Sequence, residues 1–254
     1  MKAEQVCKWK TEVIMVTGLT VTVRFAQEDI DSIFIPLLYN LAEKQSKLGR
    51  RMLVFIAAPP GCGKSTLVTY LEKLSETTDG IYPVQAVGMD GFHYHSQYLK
   101  NHTIVRDGQT VILDAIKGAP ETFDTKRLYE KLLEASKSET LYWPVYSRSK
   151  HDVIEDAILI NRDILLIEGN YLLLKSEPWK KMADEFCDYS IFMYTELSVL
   201  KPRLIDRKVL SGHSRKDAEQ FYDFSDGRNA ELVLSNRPQA DCTIYCSGDR
   251  YYKE

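Results

Sequence analysis

The chain has 254 residues, a formal net charge of −3, 44% hydrophobic residues and 27% charged residues. This length suffices for one α/β domain with a large core, and the near-neutral charge excludes a basic field over the whole protein, which argues against nucleic acid as a partner. No apolar run approaches the roughly 18 residues that a membrane-spanning helix needs, and the N-terminus lacks a signal-peptide pattern. Five scattered cysteines without a Cys-x-x-Cys pair predict reduced thiols in a cytoplasmic protein.

Residues 1–50 are predicted to form an extension that packs on the main domain. Glu12–Val16 and Leu19–Phe25 are rich in β-forming residues and flank Gly18, which predicts a hairpin. Asp29–Ser32 could cap a helix that runs to about Leu48. This extension could form a homodimer contact or cover a sheet edge.

Residues 51–254 are predicted to form an α/β domain with a doubly wound, mostly parallel sheet and flanking helices. Short apolar runs are typical of strands buried on both faces, and they alternate with helical patterns. The predicted strands are 53–57, 83–87, 164–167, 189–193 and 242–245. The predicted helices are 65–74, 124–135, 179–186, 197–210 and 215–234. Such sheets bind ligands at the carboxyl ends of their strands.

The strongest motif is Ala58-Pro-Pro-Gly-Cys-Gly-Lys-Ser-Thr66, which follows a predicted strand and opens a predicted helix. That context is typical of a P-loop, in which backbone N–H groups and a helix N-terminus bind phosphate. We expect Lys64 to bridge the terminal phosphates and Ser65 to ligate Mg²⁺. The predicted nucleotide-binding residues are Pro60, Gly61, Cys62, Gly63, Lys64, Ser65 and Thr66. Ala58 stands where the usual pattern has its first glycine, and the alternative is a chance glycine-rich turn.

Asp90 ends the second predicted strand, one βα unit after the loop. A kinase that acts on an alcohol needs a carboxylate to accept the hydroxyl proton, and Asp90 is the candidate for that base. The alternative is an Asp that caps the next turn. His93 is expected to orient a group near Asp90, since the nearby histidines have no acidic or cysteine partners at a familiar metal-site spacing. The absence of an Asn-Lys-x-Asp motif argues against a GTPase.

The phosphate loop PPGCGKST, followed 26 residues after Lys64 by Asp90 in MDGFH, resembles the phosphoribulokinase/uridine kinase family. It is most similar to the branch that contains bacterial-type pantothenate kinase and uncharacterised sugar- or nucleoside-kinase-like proteins. Lys117–Asp124 and the segment Tyr146-Ser147-Arg148 with His151-Asp152 also resemble that branch, and the resemblance covers about residues 50 to 246. It implies that Asp90 is the base and that Arg148 and His151 contact the acceptor. From the residues alone, Arg148 and His151 could equally be a solvated basic cluster.

Glu168 ends the third buried strand, and an acid at this place in P-loop enzymes holds the Mg²⁺ shell. The alternative is that it caps the following turn. Arg203 and Arg207 lie four residues apart on one helix face, where arginines of a lid can stabilise charge on a transferring phosphoryl group. In the similar family this region, about 197–216, is the lid. The alternative is an exposed charged helix.

These patterns predict an ATP- and Mg²⁺-dependent kinase that phosphorylates a hydroxyl of a small metabolite, such as a sugar, a nucleoside or a pantothenate-like alcohol. One alternative is a regulatory P-loop ATPase that acts on a protein partner, and another is a non-catalytic nucleotide-binding module. The resemblance implies that the adenine lies near Asn229 or Asn236–Pro238, without fixing the residue.

Overall fold

A computed structural model describes residues 8–16 and 18–254. Cys7, one of the five cysteines, and Thr17, at the predicted hairpin turn, lie outside the described residues. The strands are β1 (Trp9–Val16), β2 (Leu19–Ala26), β3 (Met52–Ala57), β4 (Val84–Gly88), β5 (Thr103–Arg106), β6 (Gln109–Ile112), β7 (Leu141–Ser147), β8 (Asp152–Ile160), β9 (Ile164–Gly169), β10 (Tyr189–Tyr194), β11 (Cys242–Ser247) and β12 (Arg250–Lys253).

The helices after residue 50 match the predicted ones, apart from one short additional helix at Ser96–Asn101 and one break described below. The helices of the chain are α1 (Gln27–Asp29), α2 (Ile35–Leu48), α3 (Lys64–Thr77), α4 (Ser96–Asn101), α5 (Thr125–Lys137), α6 (Trp179–Phe186), α7 (Leu197–Leu210), α8 (Arg215–Phe221) and α9 (Gly227–Ser235). Short 3-10 turns follow β4 at Met89–Phe92 and β6 at Leu113–Ile116.

The main sheet has six strands in the order β12-β11-β10-β3-β9-β4. All neighbours pair in parallel except β11 and β12, which are antiparallel. Every residue of β3 and β9 is buried, because these central strands are covered on both faces. The predicted α/β fold with a doubly wound, mostly parallel sheet is therefore confirmed. Strands β9 and β4 lie on one side of β3, and β10 and β11 lie on the other. The strand order therefore reverses at β3, and a ligand is expected in the crevice at its carboxyl end.

Alternate side chains of β3 point into two separate hydrophobic cores. Val54 and Ile56 belong to the core that includes residues of α2, α3 and α7, while Leu53 and Phe55 belong to the core that includes residues of α5 and α6. The period of two that defines a strand thus divides one apolar run between both faces of the sheet. Because β3 is packed on both faces, the position of the loop that follows it is fixed relative to the sheet.

The hairpin β1–β2 and helix α2 pack on the first of these cores. Phe25 of β2 is 1% exposed, and its ring stacks on Tyr70 of α3 with centroids 3.9 Å apart. Lys73 of α3 donates to Glu12 of β1 over 2.6 Å. Phe34, which precedes α2, lies in the same cluster. The extension thus shares its apolar core with the helix that follows the phosphate loop.

Replacing Phe25 with Ala should lower the free energy of unfolding by about 3–5 kcal/mol, because it removes a fully buried ring and leaves a cavity against Tyr70. Urea unfolding followed by tryptophan fluorescence measures the change. Leu19→Ala, on the same strand but 56% exposed, is the matched control and should change stability by less than about 0.5 kcal/mol. If Phe25→Ala changed stability as little as Leu19→Ala, the packing of the hairpin on the core would contribute nothing to stability.

Two helix predictions need correction. The helical segment after β2 begins at Gln27, and Asp29 does not cap it; its carboxylate instead accepts hydrogen bonds from Arg250 and from the N–H of Tyr251. The predicted helix 215–234 is interrupted by a π turn at Tyr222–Asp226, which separates α8 from α9. Asp29 fails to cap the helix because its carboxylate binds residues that are distant in the sequence. The structure offers no local breaker residue for the break between α8 and α9.

The two small hairpins β5–β6 and β7–β8 and strand β12 were not predicted. A signal for the first hairpin is present in Asp107-Gly108, which stand between short β-rich runs and both have positive φ, at 52° and 75°. Asp-Gly in that position is a strong hairpin signal. The β7–β8 hairpin carries Tyr146 and His151.

Candidate active site

The phosphate loop connects the end of β3 to the first turn of α3. Gly61 and Gly63 have φ of +80° and +94°, which side-chain-bearing residues rarely adopt, so both positions require glycine. Ala58 is buried and does not have a positive φ, so its methyl group is compatible with the loop. Gly63 precedes the first residue of α3, Lys64. The free N–H groups of this helix start and its dipole favour an anion here.

Three predicted residues meet at the base of the loop. The Ser65 hydroxyl donates to Glu168 Oε1 over 2.6 Å, and Lys64 Nζ lies 3.6 Å from Glu168 Oε2. Glu168 is 7% exposed. Burial raises the pKa of the Glu168 carboxyl, the Lys64 ammonium opposes that rise, and the negative charge of Asp90 adds to it. Asp90 is close to this group, since a Cβ atom on Gly88 would lie 3.5 Å from Glu168 Oε1 and 3.9 Å from the backbone nitrogen of Asp90.

The oxygen donors at this point fit Mg²⁺. A hydroxyl and a carboxylate at hydrogen-bond distance can both turn to a hard cation, and Mg²⁺ usually completes its shell with substrate phosphates and water. In the described part of the chain, no group of three or more His, Cys, Asp or Glu side chains could enclose a metal ion. Ser65 and Glu168 therefore suit a Mg²⁺ ion that arrives with a nucleotide.

Asp90 lies in the 3-10 turn directly after β4, next to the end of β9 in the sheet. Its backbone carbonyl accepts from Nδ1 of His93 over 2.9 Å. Because a carbonyl only accepts, His93 Nδ1 carries the proton and Nε2 is free to accept. Burial lowers the pKa of the His93 imidazole, so the ring is neutral near pH 7. His93 thus fixes the turn that carries Asp90.

Three further contacts, which were not predicted from the sequence, hold this turn. Trp143 Nε1 donates to Gly88 O over 2.9 Å, and Arg127 donates to Gly91 O while its guanidinium lies 5.2 Å from the centre of the Phe92 ring. A Cβ atom on Gly91 would lie 2.2 Å from the backbone oxygen of Pro144. No short motif marks these residues, because they are brought together from separate strands and helices.

Substituting Gly91 with Ala should destabilise the fold by about 2 kcal/mol or more and lower activity, because the added methyl group collides with the backbone of β7 and displaces the Asp90 turn. Gly88→Ala is the matched control, since its Cβ would meet nothing closer than 3.5 Å. Thermal unfolding of both variants is the measurement. If G91A unfolded at the same temperature as G88A, the close contact between Gly91 and the backbone of β7 would be contradicted.

The predicted acceptor contacts Arg148 and His151 lie in the exposed turn between β7 and β8. The turn is near His93, since the Tyr146 ring lies 5.6 Å from the His93 ring. Lys117 lies 4.6 Å from the centre of the Tyr146 ring and donates to the backbone oxygen of His151 over 3.2 Å. Lys117 thus links this turn to the segment that follows the β5–β6 hairpin.

Helix α7 passes directly over the phosphate loop. A Cβ atom on Gly61 would lie 3.1 Å from Leu204, which is buried. Arg203 is half-buried, lies beside Gly63 in a cavity, and donates to Gly248 O over 3.3 Å. Arg207 points elsewhere and lies 3.9 Å from Asp226. The two predicted lid arginines therefore have different surroundings.

The two asparagines that were predicted to lie near the adenine both contact residues of their own helical segment. The Asn236 side chain donates to Leu232 O at the end of α9, and Asn229 lies 3.5 Å from the Ser225 hydroxyl. Cys62 lies within the phosphate loop, where its N–H donates to Pro59 O over 3.3 Å and its thiol is buried. The described cysteines Cys62, Cys187, Cys242 and Cys246 form no disulfides.

The phosphate loop, Glu168 and Asp90 lie at one edge of the sheet, and comparisons with known proteins show which family has this sequence. The pattern of the Phosphoribulokinase / Uridine kinase family matches residues 53–246. The chain belongs to this family. The resemblance seen in PPGCGKST and MDGFH is thereby confirmed, and the family is one of small-molecule kinases with a nucleotide-binding P-loop.

Individual relatives extend this similarity. The "Uncharacterized protein YggC" of Escherichia coli (strain K12) is 39% identical over 94% of this chain and 97% of its own length. A pantothenate kinase of Ligilactobacillus salivarius (strain UCC118) is 27% identical over 77% of this chain and 67% of its own. A solved structure described as a "putative fructose transport system kinase" from Silicibacter sp. TM1040 has a TM-score of 0.72 and 28% identity, over 83% of this chain and 98% of that one.

Within residues 8–16 and 18–254, no helix has the length and apolar character to cross a membrane.

Proposed function

We propose that this protein transfers the γ-phosphoryl group of ATP to a hydroxyl of a small metabolite. The observation that carries the proposal is the position of Asp90, at the strand end next to the Lys64–Ser65–Glu168 group, where its charge acts on Glu168. A P-loop ATPase needs the group around Glu168 and can use a second carboxylate to activate water, so the match to a family of small-molecule kinases is what favours an alcohol as the nucleophile. An alcohol kinase needs both.

In the proposed reaction, the acceptor hydroxyl attacks the γ-phosphorus in line with the bond to the β-phosphate. The new bond joins the acceptor oxygen to phosphorus, the bond to the bridging oxygen breaks, and ADP leaves. Asp90 accepts the hydroxyl proton and aligns the oxygen. Neutral His93 supports this role by holding the backbone of the same turn through Nδ1–H. The half-buried position of Asp90 leaves it open to an acceptor.

The phosphates are proposed to bind the N–H groups between Pro60 and Thr66, with the ammonium of Lys64 on the terminal phosphates. Ser65 and Glu168 would hold Mg²⁺, which supplies positive charge to the phosphate oxygens when it is bound. A bound cation would stabilise the ionised carboxylate of Glu168 and so oppose the rise in its pKa that burial causes.

Arg203 is proposed to place its charge near the transferring group from α7, because it is half-buried beside the loop. For Arg207 the same role requires that it leave Asp226 and that the segment 197–216 close. Burial raises the pKa of the Asp226 carboxyl even though Arg207 is near. The Arg207–Asp226 contact is long and Arg207 is exposed, so it is a weak restraint and is compatible with such a movement.

The acceptor is proposed to lie between Asp90 and the β7–β8 turn. Arg148 and His151 on this turn would bind its polar groups, and Tyr146 would pack against it. Lys117, which holds the turn through His151 O, adds a positive charge at the same place. A sugar, a nucleoside or a pantothenate-like alcohol suits this mixture of aromatic and hydrogen-bonding groups.

The test is ADP release from the purified protein with Mg·ATP and a panel of sugars, nucleosides and pantothenate. Stimulation by one acceptor, with one phosphorylated product per ADP detected by mass spectrometry, would establish the reaction and the acceptor class. Steady ADP release that no panel member increases, and that a protein partner increases, would favour the regulatory ATPase instead.

A further inference from the structure

A cavity of about 370 Å³ lies beside the phosphate loop. Gly63 and Thr66 near the loop and Arg203 of α7 line it. The remaining walls come from elsewhere in the chain, namely Thr22 and Arg24 of β2 and the turn between β11 and β12. The volume lies within the range of small-molecule sites.

The cavity and Asp90 lie on opposite sides of the loop. Asp90 follows β4, the edge strand on one side of β3, whereas the β11–β12 turn is at the other edge of the sheet. In-line transfer requires the acceptor and the leaving ADP to stand on opposite sides of the γ-phosphorus. If the acceptor is at Asp90, the rest of the nucleotide must extend from the loop toward this cavity.

Two of the cavity walls are fixed to each other. Arg24 of β2 donates to Asp249 of the β11–β12 turn over 2.6 Å. Close by, Arg250 donates to the buried carboxylate of Asp29 at 2.9 and 3.0 Å, and the Tyr251 N–H donates to the same carboxylate over 2.9 Å. An otherwise costly buried charge is satisfied only when the extension is seated on β12. The extension is therefore a preformed wall, because several charged contacts hold it in place.

These walls lie outside the part of the chain that the family pattern matches, residues 53–246. The hairpin precedes that part, and Gly248 to Tyr251 follow it. We propose that the N-terminal hairpin and the β11–β12 turn complete the pocket for the ribose and base of ATP, an inference that rests on the proposed kinase function. The Thr22 hydroxyl and the Gly248 carbonyl supply polar groups for the nucleoside, and the Arg24 guanidinium, which packs on the Trp9 ring at 4.8 Å, places a positive charge at the wall.

The first experiment fills the cavity from the hairpin. Thr22→Trp should weaken binding of Mg·ADP and Mg·ATP, measured by isothermal titration calorimetry, by about tenfold or more, since its ring would occupy the space of the base. Thr20→Trp is the matched control: it lies two residues earlier on the same strand, is also exposed, and does not line the cavity. It should bind both nucleotides as the unaltered protein does.

A second measurement does not depend on a variant. Hydrogen exchange of the unaltered protein with and without Mg·ADP should show slowed exchange in residues 20–25 and 248–252, together with the phosphate loop. Slowed exchange in the loop alone, or equal nucleotide affinity of T22W and T20W, would overturn the role of the hairpin and leave the kinase proposal standing. A protein that binds neither nucleotide would overturn both.

Discussion

Asp90→Asn is expected to lower the acceptor-dependent kcat by about 10²- to 10⁴-fold, the usual contribution of a general base. Asparagine keeps the size of the side chain and the 3-10 turn, but it does not accept the hydroxyl proton. The Kd for Mg·ATP should stay unchanged, because the loop amides, Lys64 and Ser65 are intact. Single-turnover formation of phosphorylated acceptor measures the first quantity, and calorimetry measures the second.

The chain offers a matched control in Asp114. It occupies the same second position of a 3-10 turn, and its carbonyl accepts from the N–H three residues later, as that of Asp90 does. Asp114 is exposed and follows the β5–β6 hairpin rather than a strand of the main sheet. D114N should retain full activity. If D90N also retained it, Asp90 would be a turn residue and the base assignment would be wrong.

Glu168→Gln should have opposite effects on activity and on stability. We expect a loss of at least about 100-fold in kcat/KM, because the neutral amide holds Mg²⁺ poorly. We also expect a small gain in the free energy of unfolding at pH 7 without nucleotide, on the order of 1 kcal/mol, because the variant no longer buries a carboxylate charge. Activity assays at varied Mg²⁺ and urea unfolding at varied pH measure the two effects.

The sign of the pH dependence follows from the raised pKa of Glu168. Between its ordinary value of 4.5 and the raised value, the folded state binds more protons than the unfolded state. Stability from this group therefore falls as pH rises through that window and is lowest above it. The stabilisation of E168Q over the unaltered protein should accordingly disappear as the pH is lowered below about 4.5.

Glu72→Gln is the control for this experiment. Burial also raises the pKa of Glu72, and its Oε1 accepts from the N–H of Ala86 over 3.1 Å, a bond that a glutamine oxygen can keep. E72Q should shift stability in the same direction and leave activity unchanged. A loss of stability in E168Q at pH 7 would mean that the contact with Lys64 outweighs the cost of burying the charge.

The sequence by itself determined the sheet and the residues at its strand ends. Short apolar runs such as the one before Ala58 have to be buried on both faces, and their alternation with helical patterns predicts a parallel sheet with helices on each side. A residue that follows such a strand must lie at the carboxyl edge. The sequence alone therefore assigns Lys64, Asp90 and Glu168 to one edge of the sheet.

Only the tertiary structure decided what surrounds those residues. Trp143 and Arg127, which hold the Asp90 turn, and Asp29, which binds Arg250, act through contacts between segments that are far apart in the chain. No local pattern encodes such partners, because a side chain's local sequence is the same whether it caps its own helix or reaches a strand more than 200 residues away. The different surroundings of Arg203 and Arg207 likewise became visible only when α7 was packed over the loop.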